Sequence, residues 1–400
     1  MRVAVIAPHY LPGTRAGGPV RSIASLVETL GDEIEFFILT HDHDFGTSEP
    51  YPGVVRGQPV RVGKASVVYL SEEDFRPKAL EARILASEPD ALYLNSFFHP
   101  LASIGPVLRR KFGGLHGLPL LIAPRGEFAE EALRIKGRKK SGYLALARVL
   151  SLYRDVIWQA SSEFEAADIH RVVGREAKVR IAHLPPSLPQ EAEEAQGESR
   201  RQKSAGSLQL IFVGRFAPMK NVEFALSVLA GVEGKVRFEL VGPKETEEYW
   251  RLCQDAARRL PLNVQVEFAG ALPHDEVLRR LNNSHAFLLP TRGENFGHGI
   301  LEAMSCGCPV VISQNTQWRD LAPRRAGWDL PLSAPGQFTH ALQRLADMES
   351  DEWLEWSRGA REYARGRTLD DDAVEATRRL FLDAARVAPA RRSRGSSEVT

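Results

Sequence analysis

Residues 286–312 read AFLLPTRGENFGHGILEAMSCGCPVVI. An apolar run at 286–290 ends in a glycine-containing turn, a helical pattern follows at 297–306, and a second apolar run occupies 309–312. Short, nearly continuous apolar strands that alternate with helices are typical of a parallel sheet covered on both faces. This stretch therefore predicts a βαβ unit and places the chain in the α/β class.

The same alternation extends over most of the chain. Short apolar runs separated by helical patterns lie at 3–7, 34–39, 67–70, 91–94, 118–123, 157–160 and 179–184, and again at 208–213, 236–241 and 264–269. A length of 400 residues exceeds what one hydrophobic core usually serves, so two domains are expected. We therefore predict two successive βαβ domains of similar size, each with its own core.

The domain boundaries follow from a change in composition. Residues 187–207 contain no aromatic and hardly any aliphatic residue, which is typical of a solvated linker. We expect an N-terminal domain at 1–186 and a C-terminal domain at 208–369. A further helix at 370–388 either crosses back to the first domain or stays with the second, and the Arg/Ser/Gly-rich end at 389–400 is predicted to be disordered.

The composition excludes several classes of protein. Lys and Arg number 52 against 51 for Asp and Glu, a net charge of +1, and 43% of the residues are hydrophobic. These values are typical of a globular protein rather than a disordered or fibrous one. A near-neutral chain is not expected to bind nucleic acid over a broad surface, because such binding needs a strongly basic balance.

The cysteine and histidine patterns predict neither disulfides nor a metal site. Three cysteines, two of them in the Cys306-Gly307-Cys308 sequence, are too few for a disulfide scaffold and are interpreted as small buried hydrophobes. His41 and His43 alternate with two aspartates and resemble a metal cluster only superficially. We expect no metal ion and no cofactor.

The location of the protein is predicted from its apolar and basic runs. The N-terminal sequence MRVAVIAPHY suits a first strand better than a signal peptide, and no apolar run reaches the ~20 residues of a spanning helix. We expect a cytoplasmic protein. The basic run at 134–140, followed by apolar residues at 143–147, suits peripheral contact with an anionic membrane and equally suits a solvated helix end.

Two glutamates frame the turn in the stretch quoted first. Glu294 precedes the helical pattern and Glu302 lies within it, while the backbone N–H groups at 296–299 are the free donors of a helix N-terminus. Such donors suit a diphosphate, and a glutamate on each side can bind the vicinal hydroxyls of sugar and ribose rings. The alternative is that Glu294 is only favoured by the helix dipole and Glu302 is a solvated helix residue.

A second segment brings two cations to the end of a strand. Residues 210–221 read LIFVGRFAPMKN, so Arg215 and Lys220 follow the apolar run directly. Ligands bind at the carboxyl ends of strands in open α/β sheets, and two cations there can neutralise a departing diphosphate without a metal. The alternative is two surface cations, although Lys220 near a helix start opposes the helix dipole.

The segments VGRFAPMKN at 213–221 and GENFGHGILEAMSCGCPVV at 293–311 together resemble the retaining nucleotide-sugar glycosyltransferases of the GT4 family. That family adopts the GT-B fold, in which two Rossmann-like domains face a central cleft. The sequence QNTQWRDL at 314–321 is similar to a tryptophan-containing loop of a polysaccharide-assembly branch, and PRGE at 124–127 resembles the same branch.

The resemblance implies a role for each matching residue. Arg215 and Lys220 correspond to the cations that hold the donor diphosphate, and Glu294 corresponds to the glutamate at the transferred sugar. Glu302 corresponds to the glutamate that binds the ribose. Phe296, Gly297 and His298 lie in the turn that faces the donor phosphates. Gly17 and Gly18 correspond to the glycine-rich loop after the first strand. None of the histidines is expected to act as an essential base.

The acceptor side departs from the family pattern. Where many relatives carry a histidine after the strand at 118–123, this chain has Arg125, which stays charged and suits an anionic acceptor or the donor. A contact between Arg125 and Glu127 is the alternative. His99 also follows an apolar run and is predicted on the acceptor side. Pro185-Pro186 replaces the usual Asn-Gly pair after the last strand of the first domain.

These features predict a retaining glycosyltransferase of the hexosyltransferase type. Its donor is a nucleotide-diphosphate sugar, and its acceptor is a glycan, a lipid-linked sugar or a small molecule in cell-surface polysaccharide synthesis. Two alternatives remain, a sugar-nucleotide epimerase of the same fold and a non-catalytic nucleotide-sugar-binding protein. An epimerase would turn over the nucleotide sugar without an acceptor.

Overall fold

The protein is described by a computed structural model, in which the chain forms two compact units. Unit 1 comprises residues 1–185 and 371–400, and unit 2 comprises residues 186–370. The structure describes residues 1–13, 15–134, 136–182, 203–294, 296–368 and 371–386. Most of the predicted linker and the predicted tail at 389–400 therefore lie outside the described residues.

Unit 1 is built on an eight-stranded sheet in the order β3-β4-β2-β1-β5-β6-β7-β8. Its strands are β1 (Arg2–Ile6), β2 (Glu35–His41), β3 (Pro59–Val62), β4 (Ala65–Leu70), β5 (Ala91–Leu94), β6 (Leu120–Ile122), β7 (Val156–Ala160) and β8 (Lys178–Ile181). All neighbours pair in parallel except β3, which runs antiparallel to β4 at one edge. A parallel sheet needs crossover connections, and helices supply them here.

The helices of unit 1 cover both faces of this sheet. They are α1 (Gly18–Leu30), α2 (Pro77–Ala86), α3 (Gly105–Phe112), α4 (Glu130–Arg134), α5 (Gly137–Val149) and α6 (Glu163–Val173), with a π-helical turn at Pro100–Ile104. Successive residues of β1 contribute to opposite faces, so Val3 and Val5 belong to one apolar cluster and Ala4 and Ile6 to the other. All four are fully buried, which explains why the strands read as continuous apolar runs.

Unit 2 is built on a six-stranded parallel sheet in the order β11-β10-β9-β12-β13-β14. Its strands are β9 (Ser207–Val213), β10 (Lys235–Val241), β11 (Val264–Gly270), β12 (Ala286–Leu289), β13 (Val310–Ser313) and β14 (Gly327–Leu330). Its helices are α7 (Val222–Leu229), α8 (Glu247–Arg258), α9 (His274–Asn283), α10 (His298–Ser305), α11 (Pro335–Asp347) and α12 (Ser350–Thr368), and Pro218–Lys220 form a 3-10 turn.

The last described helix, α13 (Asp371–Arg386), returns to unit 1. Its Phe381 is fully buried, with its ring 5.9 Å from the ring of Phe36 on β2 and 5.5 Å from that of Tyr93 on β5. Arg378 of the same helix donates two hydrogen bonds of 2.8 Å to the carboxylate of Glu33. Unit 1 is therefore made of two separate stretches of the chain.

The structure corrects the sequence-based boundaries at several points. The helix predicted at 370–388 is α13, with the bounds Asp371–Arg386, and two helices of unit 2, α11 and α12, precede it. The short edge strands β3 and β14 were not predicted, because each has few consecutive apolar residues. The end of the predicted linker is also wrong, since Lys203 is buried in unit 2 and Ser207 already belongs to β9. The Lys203 ammonium donates to the carbonyls of Ala346 and Met348 at 2.8 Å, at the end of α11.

Candidate active site

The site is built where the strand order of unit 2 reverses. β9 pairs with β10 on one side and with β12 on the other, so the connection after β9 leads towards β10 while the connection after β12 leads towards β13 in the opposite direction. Open α/β sheets bind ligands at such a switch point. The loop after β9 carries Arg215 and Lys220, and the loop after β12 carries Glu294. The structure therefore brings the two segments singled out from the sequence to one edge of one sheet.

The closest contact between these loops is an ion pair. Lys220 ends the 3-10 turn at Pro218–Lys220, and its ammonium donates to the carboxylate of Glu294. The two side chains are only 20% and 15% exposed, respectively. Because partial burial weakens solvent screening, this pair is electrostatically stronger than one on an open surface.

The backbone around the ion pair is fixed by hydrogen bonds between the two loops. Thr291 Oγ1 and Arg292 N both donate to the carbonyl of Met219, at 2.9 and 2.8 Å. Asn221 Nδ2 donates to the carbonyl of Pro290 at 3.0 Å, and its backbone is left-handed with φ 58°. The positions of Lys220 and Glu294 are thus set by the main chain rather than by the ion pair alone.

The turn before α10 admits only glycine at its centre. Gly297 has φ 84°, and a β-carbon there would lie 2.9 Å from Cδ1 of Ile300 and 3.0 Å from Nε1 of Trp318. The indole N–H of Trp318 donates to the carbonyl of Phe296 at 2.8 Å, and Gln317 Nε2 donates to the same oxygen at 3.3 Å. In a trans peptide the C=O and the next N–H point in opposite directions, so these bonds aim the Gly297 N–H away from Trp318.

The start of α10 lies next to the end of β9. A β-carbon at Gly299 would contact the carbonyl oxygen of Val213 at 3.5 Å, which places the first turn of α10 beside the loop that carries Arg215. No described side chain caps this helix, and its first turn has no acidic residue. The first-turn backbone N–H groups and the positive end of the helix dipole therefore suit an anion-binding position close to Lys220 and Glu294.

The two other predicted residues of α10 lie on different parts of the helix. His298 is its first residue, and its ring lies 4.8 Å from the ring of Phe296. Glu302 lies one turn further on and is buried, with 8% of its surface exposed. The interpretation of Glu302 as a solvated helix residue is therefore wrong, because a buried carboxylate needs polar partners.

Arg215 lies in the same loop region but has another partner. Its guanidinium forms an ion pair with Glu245 at 3.2 Å and is about half exposed. Within the described residues, Arg215 therefore contacts a carboxylate on the loop after β10, whereas Lys220 contacts Glu294. Both predicted cations of the site are paired with glutamates that a bound anion would have to replace.

The remaining predicted residues belong to unit 1. Gly17, with φ 69°, precedes α1, and Gly18 is the first residue of that helix. His99 accepts a hydrogen bond from Ala102 N at 3.0 Å and so caps the π-helical turn. Burial, together with the nearby His9, lowers the pKa of the His99 imidazole.

Arg125 has left-handed backbone geometry, with φ 55°, at the carboxyl end of β6. Its Nε donates to Oδ1 of Asn95 and its Nη2 donates to the hydroxyl of Tyr93, each at 2.7 Å. Glu127 instead accepts the backbone N–H groups of Phe97 and Phe98, at 2.7 and 2.8 Å. The alternative of a contact between Arg125 and Glu127 is therefore wrong.

Three histidines of unit 1 lie close together without forming a metal site. The rings of His41 and His43 are 4.9 Å apart, and the ring of His9 lies 5.8 Å from that of His41. Burial, and next the neighbouring His43, lower the pKa of His41 to about 4. Within the described residues, no group of three or more His, Cys, Asp or Glu residues is arranged to hold a metal ion.

Sequence reasoning missed the residues that hold the turn in place. Trp318 and Gln317 were noted only as part of a loop resembling one branch of the family, and Asn221 only as the end of a motif. Arg292, which pairs with Glu223 at 2.9 Å, gave no signal at all. An asparagine directly before a helix is a signal for a left-handed backbone, and it marks Asn221.

No helix in the described part of the chain is both long and apolar enough to cross a bilayer. The family described as Glycosyl transferases group 1 matches residues 196–364, a range that contains every site residue of unit 2 named above.

Two curated relatives cover different shares of the chain. O-antigen chain mannosyltransferase B of Escherichia coli is 26% identical over 204 residues, which are 48% of this chain and 52% of that protein. D-inositol 3-phosphate glycosyltransferase of Acidothermus cellulolyticus is 28% identical over 384 residues, which are 86% of this chain and 83% of that protein. The chain spans about half of the length of the mannosyltransferase and about a quarter of the length of a second curated relative, a glycogen synthase of Mycobacterium tuberculosis.

The solved structures extend the likeness to the whole fold. HepE of Anabaena, solved in complex with UDP and glucose, superposes with a TM-score of 0.66 at 16% identity, over 96% of this chain and 100% of that one. The fold prediction is confirmed by this match and by the two parallel sheets. Residues 196–364 are a domain of the group 1 glycosyl transferases, and the two α/β units of the chain have the GT-B fold.

Proposed function

We propose that this protein is a retaining glycosyltransferase that moves a sugar from a nucleotide-diphosphate donor to a glycan, lipid-linked or small-molecule acceptor in cell-surface polysaccharide synthesis. The observation that carries the proposal is the Lys220–Glu294 ion pair beside the N-terminus of α10. It joins a cation, a carboxylate and the backbone donors of a helix N-terminus within one domain. Those are the groups that a sugar diphosphate needs.

The proposal gives each group of unit 2 a task. Lys220 and Arg215 leave their glutamates and neutralise the diphosphate, and the N-terminal N–H groups of α10 bind its oxygens. Glu294, released from Lys220, accepts hydrogen bonds from hydroxyls of the transferred sugar. Glu302, one turn into α10, is assigned to the ribose hydroxyls, and the backbone at Phe296–Gly297 is assigned to the phosphates and the sugar.

The reaction proposed is a substitution at the anomeric carbon with retained configuration. The acceptor hydroxyl forms a bond to this carbon on the face from which the nucleoside diphosphate departs, and the bond from carbon to the phosphate oxygen breaks. The proton of the acceptor hydroxyl passes to the departing diphosphate. Fixed cations and helix N–H groups stabilise the charge that develops on the leaving group, usually the largest contribution to catalysis. With those charges supplied by side chains, no metal is proposed.

The relatives support the choice of substrates. The names of two of them are those of sugar transferases, and HepE is described in complex with UDP and glucose. A nucleotide sugar is therefore the first donor class to test. The base, the sugar and the acceptor are open, so UDP-, GDP- and dTDP-sugars belong in the first screen.

The experiment measures donor binding and turnover on the wild-type chain and two lysine variants. A donor at a hundred times its Kd should raise the free energy of unfolding by about 2.7 kcal/mol, a shift that thermal melting detects. Lys220→Ala should abolish both binding and transfer, whereas the matched change Lys235→Ala, at the exposed start of β10, should change neither. Full activity of Lys220→Ala would overturn the diphosphate assignment.

The same assay separates the two alternatives. Conversion of a nucleotide sugar to its epimer without an acceptor would identify an epimerase. Binding without turnover of any donor, with and without acceptor sugars, would identify a non-catalytic binding protein. Release of nucleoside diphosphate that increases with added acceptor supports the transferase.

A cytoplasmic location with peripheral membrane contact is also proposed, and α5 supports it. From 132 to 154 every charged residue is a cation: Arg134, Lys136, Arg138, Lys139, Lys140, Arg148 and Arg154. Leu146 and Val149 on the same helix are 54% and 82% exposed. Lys140 is turned inward, since its ammonium donates to the carbonyl of Ala132 at 2.6 Å. Cations beside exposed apolar side chains suit the surface of an anionic bilayer.

Vesicle sedimentation tests this contact. The protein should sediment with vesicles that contain phosphatidylglycerol and stay in solution with phosphatidylcholine alone. Val149→Asp should release it, whereas Leu262→Asp, a matched change at a fully exposed leucine of unit 2, should not. Equal sedimentation of both variants would reject α5 as the contact surface.

A further inference from the structure

At the carboxyl edge of the unit 1 sheet lies Arg125, a cation that has no acidic partner among the described residues. Arg125 follows β6, and its side chain donates hydrogen bonds to Asn95 Oδ1 and to the Tyr93 hydroxyl, both neutral groups. The Tyr93 hydroxyl in turn donates to Oε1 of Gln159 at 2.8 Å. The guanidinium is therefore held in one orientation by amide and phenol oxygens that do not balance its charge.

The acidic residues of the same region are used elsewhere. Glu165 accepts the backbone N–H groups of Gly126 and Ser161, at 2.7 and 2.8 Å. Glu127 accepts two further backbone N–H groups on the loop after β5. Within the described part of the chain, neither carboxylate forms an ion pair with Arg125. Arg125 is only partly buried, and its charge is balanced by neither of these carboxylates, so an anion could still approach it.

The hydrogen bond that links Asn95 to the first turn of α1 also supports an anion site at this edge of the sheet. Asn95, which binds Arg125, also donates through Nδ2 to the carbonyl of Pro19 at 3.1 Å, and Pro19 lies in the first turn of α1. No described side chain caps α1, and its first turn holds no acidic residue. The network thus joins the loops after β1, β5 and β6. It lies at the point where the strand order of unit 1 reverses, between β1 and β5.

The backbone of Arg125 fits such a role. It is left-handed at φ 55°, a conformation that costs an L-residue about 1 kcal/mol or more and that persists where the surroundings impose it. The following Gly126 is also left-handed, at φ 79°. With this backbone the guanidinium reaches the carboxyl end of β5, where it contacts Tyr93 and Asn95.

We propose that Arg125, oriented by Tyr93 and Asn95, binds an anionic group of the acceptor, a carboxylate or a phosphate. This inference rests on the proposed function. It selects the acceptor rather than the donor because Arg215, Lys220 and the N-terminus of α10, all in unit 2, already provide for a diphosphate. The acceptor is then an acidic sugar or a phosphorylated one, rather than a neutral glycan.

The test compares sugars that differ only in charge. Glucuronate and glucose 6-phosphate, with inorganic phosphate as the anion alone, are titrated calorimetrically against the full chain, and glucose is the neutral control. The anionic sugars should bind roughly tenfold or more tightly than glucose, as a charge-assisted hydrogen bond provides. Arg125→Gln should remove that difference, Arg125→Lys should keep part of it, and Arg61→Gln, at an exposed arginine of β3, should leave it unchanged.

Binding of UDP and GDP to the same variants identifies the source of the anion. An unchanged affinity in Arg125→Gln supports the acceptor and shows that this variant is folded. An equal loss for nucleoside diphosphate would assign Arg125 to the donor and overturn the proposal. Absence of anionic-sugar and phosphate binding by the wild-type chain would also overturn it. If instead no nucleotide binds while acidic sugars bind through Arg125, the proposed donor function fails and the anion site stands.

Discussion

Lys220 and Glu294 neutralise each other across the carboxyl ends of β9 and β12. In the free protein, Lys220 and Glu294 are therefore each other's partner, and a bound substrate would have to break this ion pair. Removing the negative charge while keeping the shape should release the lysine. We expect Glu294→Gln to bind nucleoside diphosphate roughly three- to tenfold more tightly, and to lose about a hundredfold or more in transfer rate.

Calorimetric titration with UDP and GDP, beside steady-state transfer rates, measures both effects. Glu267→Gln is the matched control, since Glu267 pairs with Arg237 at 2.7 Å on the exposed edge of the same sheet. That variant should resemble the wild-type chain in both measurements. Weaker nucleotide binding by Glu294→Gln would show that the carboxylate supports the diphosphate site instead of competing for its lysine.

The bond from Trp318 Nε1 to the carbonyl of Phe296 predicts a positioning role for the indole. Trp318→Phe keeps an aromatic ring but loses the donor, so the Gly297 peptide is less firmly oriented. Loss of one such bond costs about 1 kcal/mol, or roughly fivefold in the Kd for nucleoside diphosphate. Trp328→Phe, at a tryptophan stacked on Trp356, is the control that should lower the melting temperature without changing that Kd.

Gly297 and Gly270 provide a matched pair for testing the turn before α10. Both have left-handed backbones, φ 84° and 71°, but a β-carbon meets close neighbours only at Gly297. We expect Gly270→Ala to cost about 1 kcal/mol of stability from backbone strain alone. Gly297→Ala should cost more and should also abolish donor binding, because Ile300 and Trp318 must shift. Similar unfolding curves and similar donor binding for the two variants would contradict this account.

The buried His41 predicts acid sensitivity of unit 1. Its pKa is lowered to about 4, first by burial and then by His43, His9 and His99, against the opposing charge of Asp42. The unfolded chain therefore binds a proton near pH 6.5 that the folded chain resists, so stability is kept above pH 6.5 and falls as the pH drops towards 4.

Urea unfolding of the wild-type chain at several pH values should show this loss. His41→Asn should flatten the dependence between pH 6.5 and 4, while His340→Asn, at an exposed histidine of unit 2, should retain it. A dependence of equal slope in all three proteins would place its origin in other groups.

The two cations of unit 2 also predict the response to chelators. If Arg215 and Lys220 provide the positive charge at the diphosphate, transfer should be unaffected by EDTA. The measurement is the initial rate after dialysis against the chelator, with and without added Mg²⁺ or Mn²⁺. A rate that collapses with EDTA and returns with metal would refute the assignment of the leaving-group charge to these side chains alone.

The sequence predicted the parts of the fold that depend on local pattern. Runs such as 91–94 coincide with a strand because full burial on both faces leaves a continuous apolar signal. β14 has only partial burial at three of its four residues, and its sequence carries little of that signal. The site residues were found for the same reason, since Lys220 and Glu294 lie in the loops that follow two strands with a clear apolar signal.

What the sequence could not reveal were contacts between distant segments. Nothing near Arg215 indicates that Glu245 is its partner, and nothing near Phe296 indicates that Trp318 fixes its carbonyl. The composition around Lys203 predicts a linker, although its ammonium donates hydrogen bonds to carbonyls at the C-terminal end of α11, more than a hundred residues later in the chain. Such pairings depend on tertiary packing, which local periodicity does not encode.

The return of α13 to unit 1 has a consequence for biosynthesis. Phe381 completes the apolar cluster of Phe36 and Tyr93, so the first unit to leave the ribosome lacks part of its core until unit 2 and then α13 have been translated. Unit 2 is continuous and can acquire its structure earlier. The order of synthesis is thus opposite to the order in which the two cores can be finished, and the nascent first unit exposes an apolar surface that chaperones would have reason to bind.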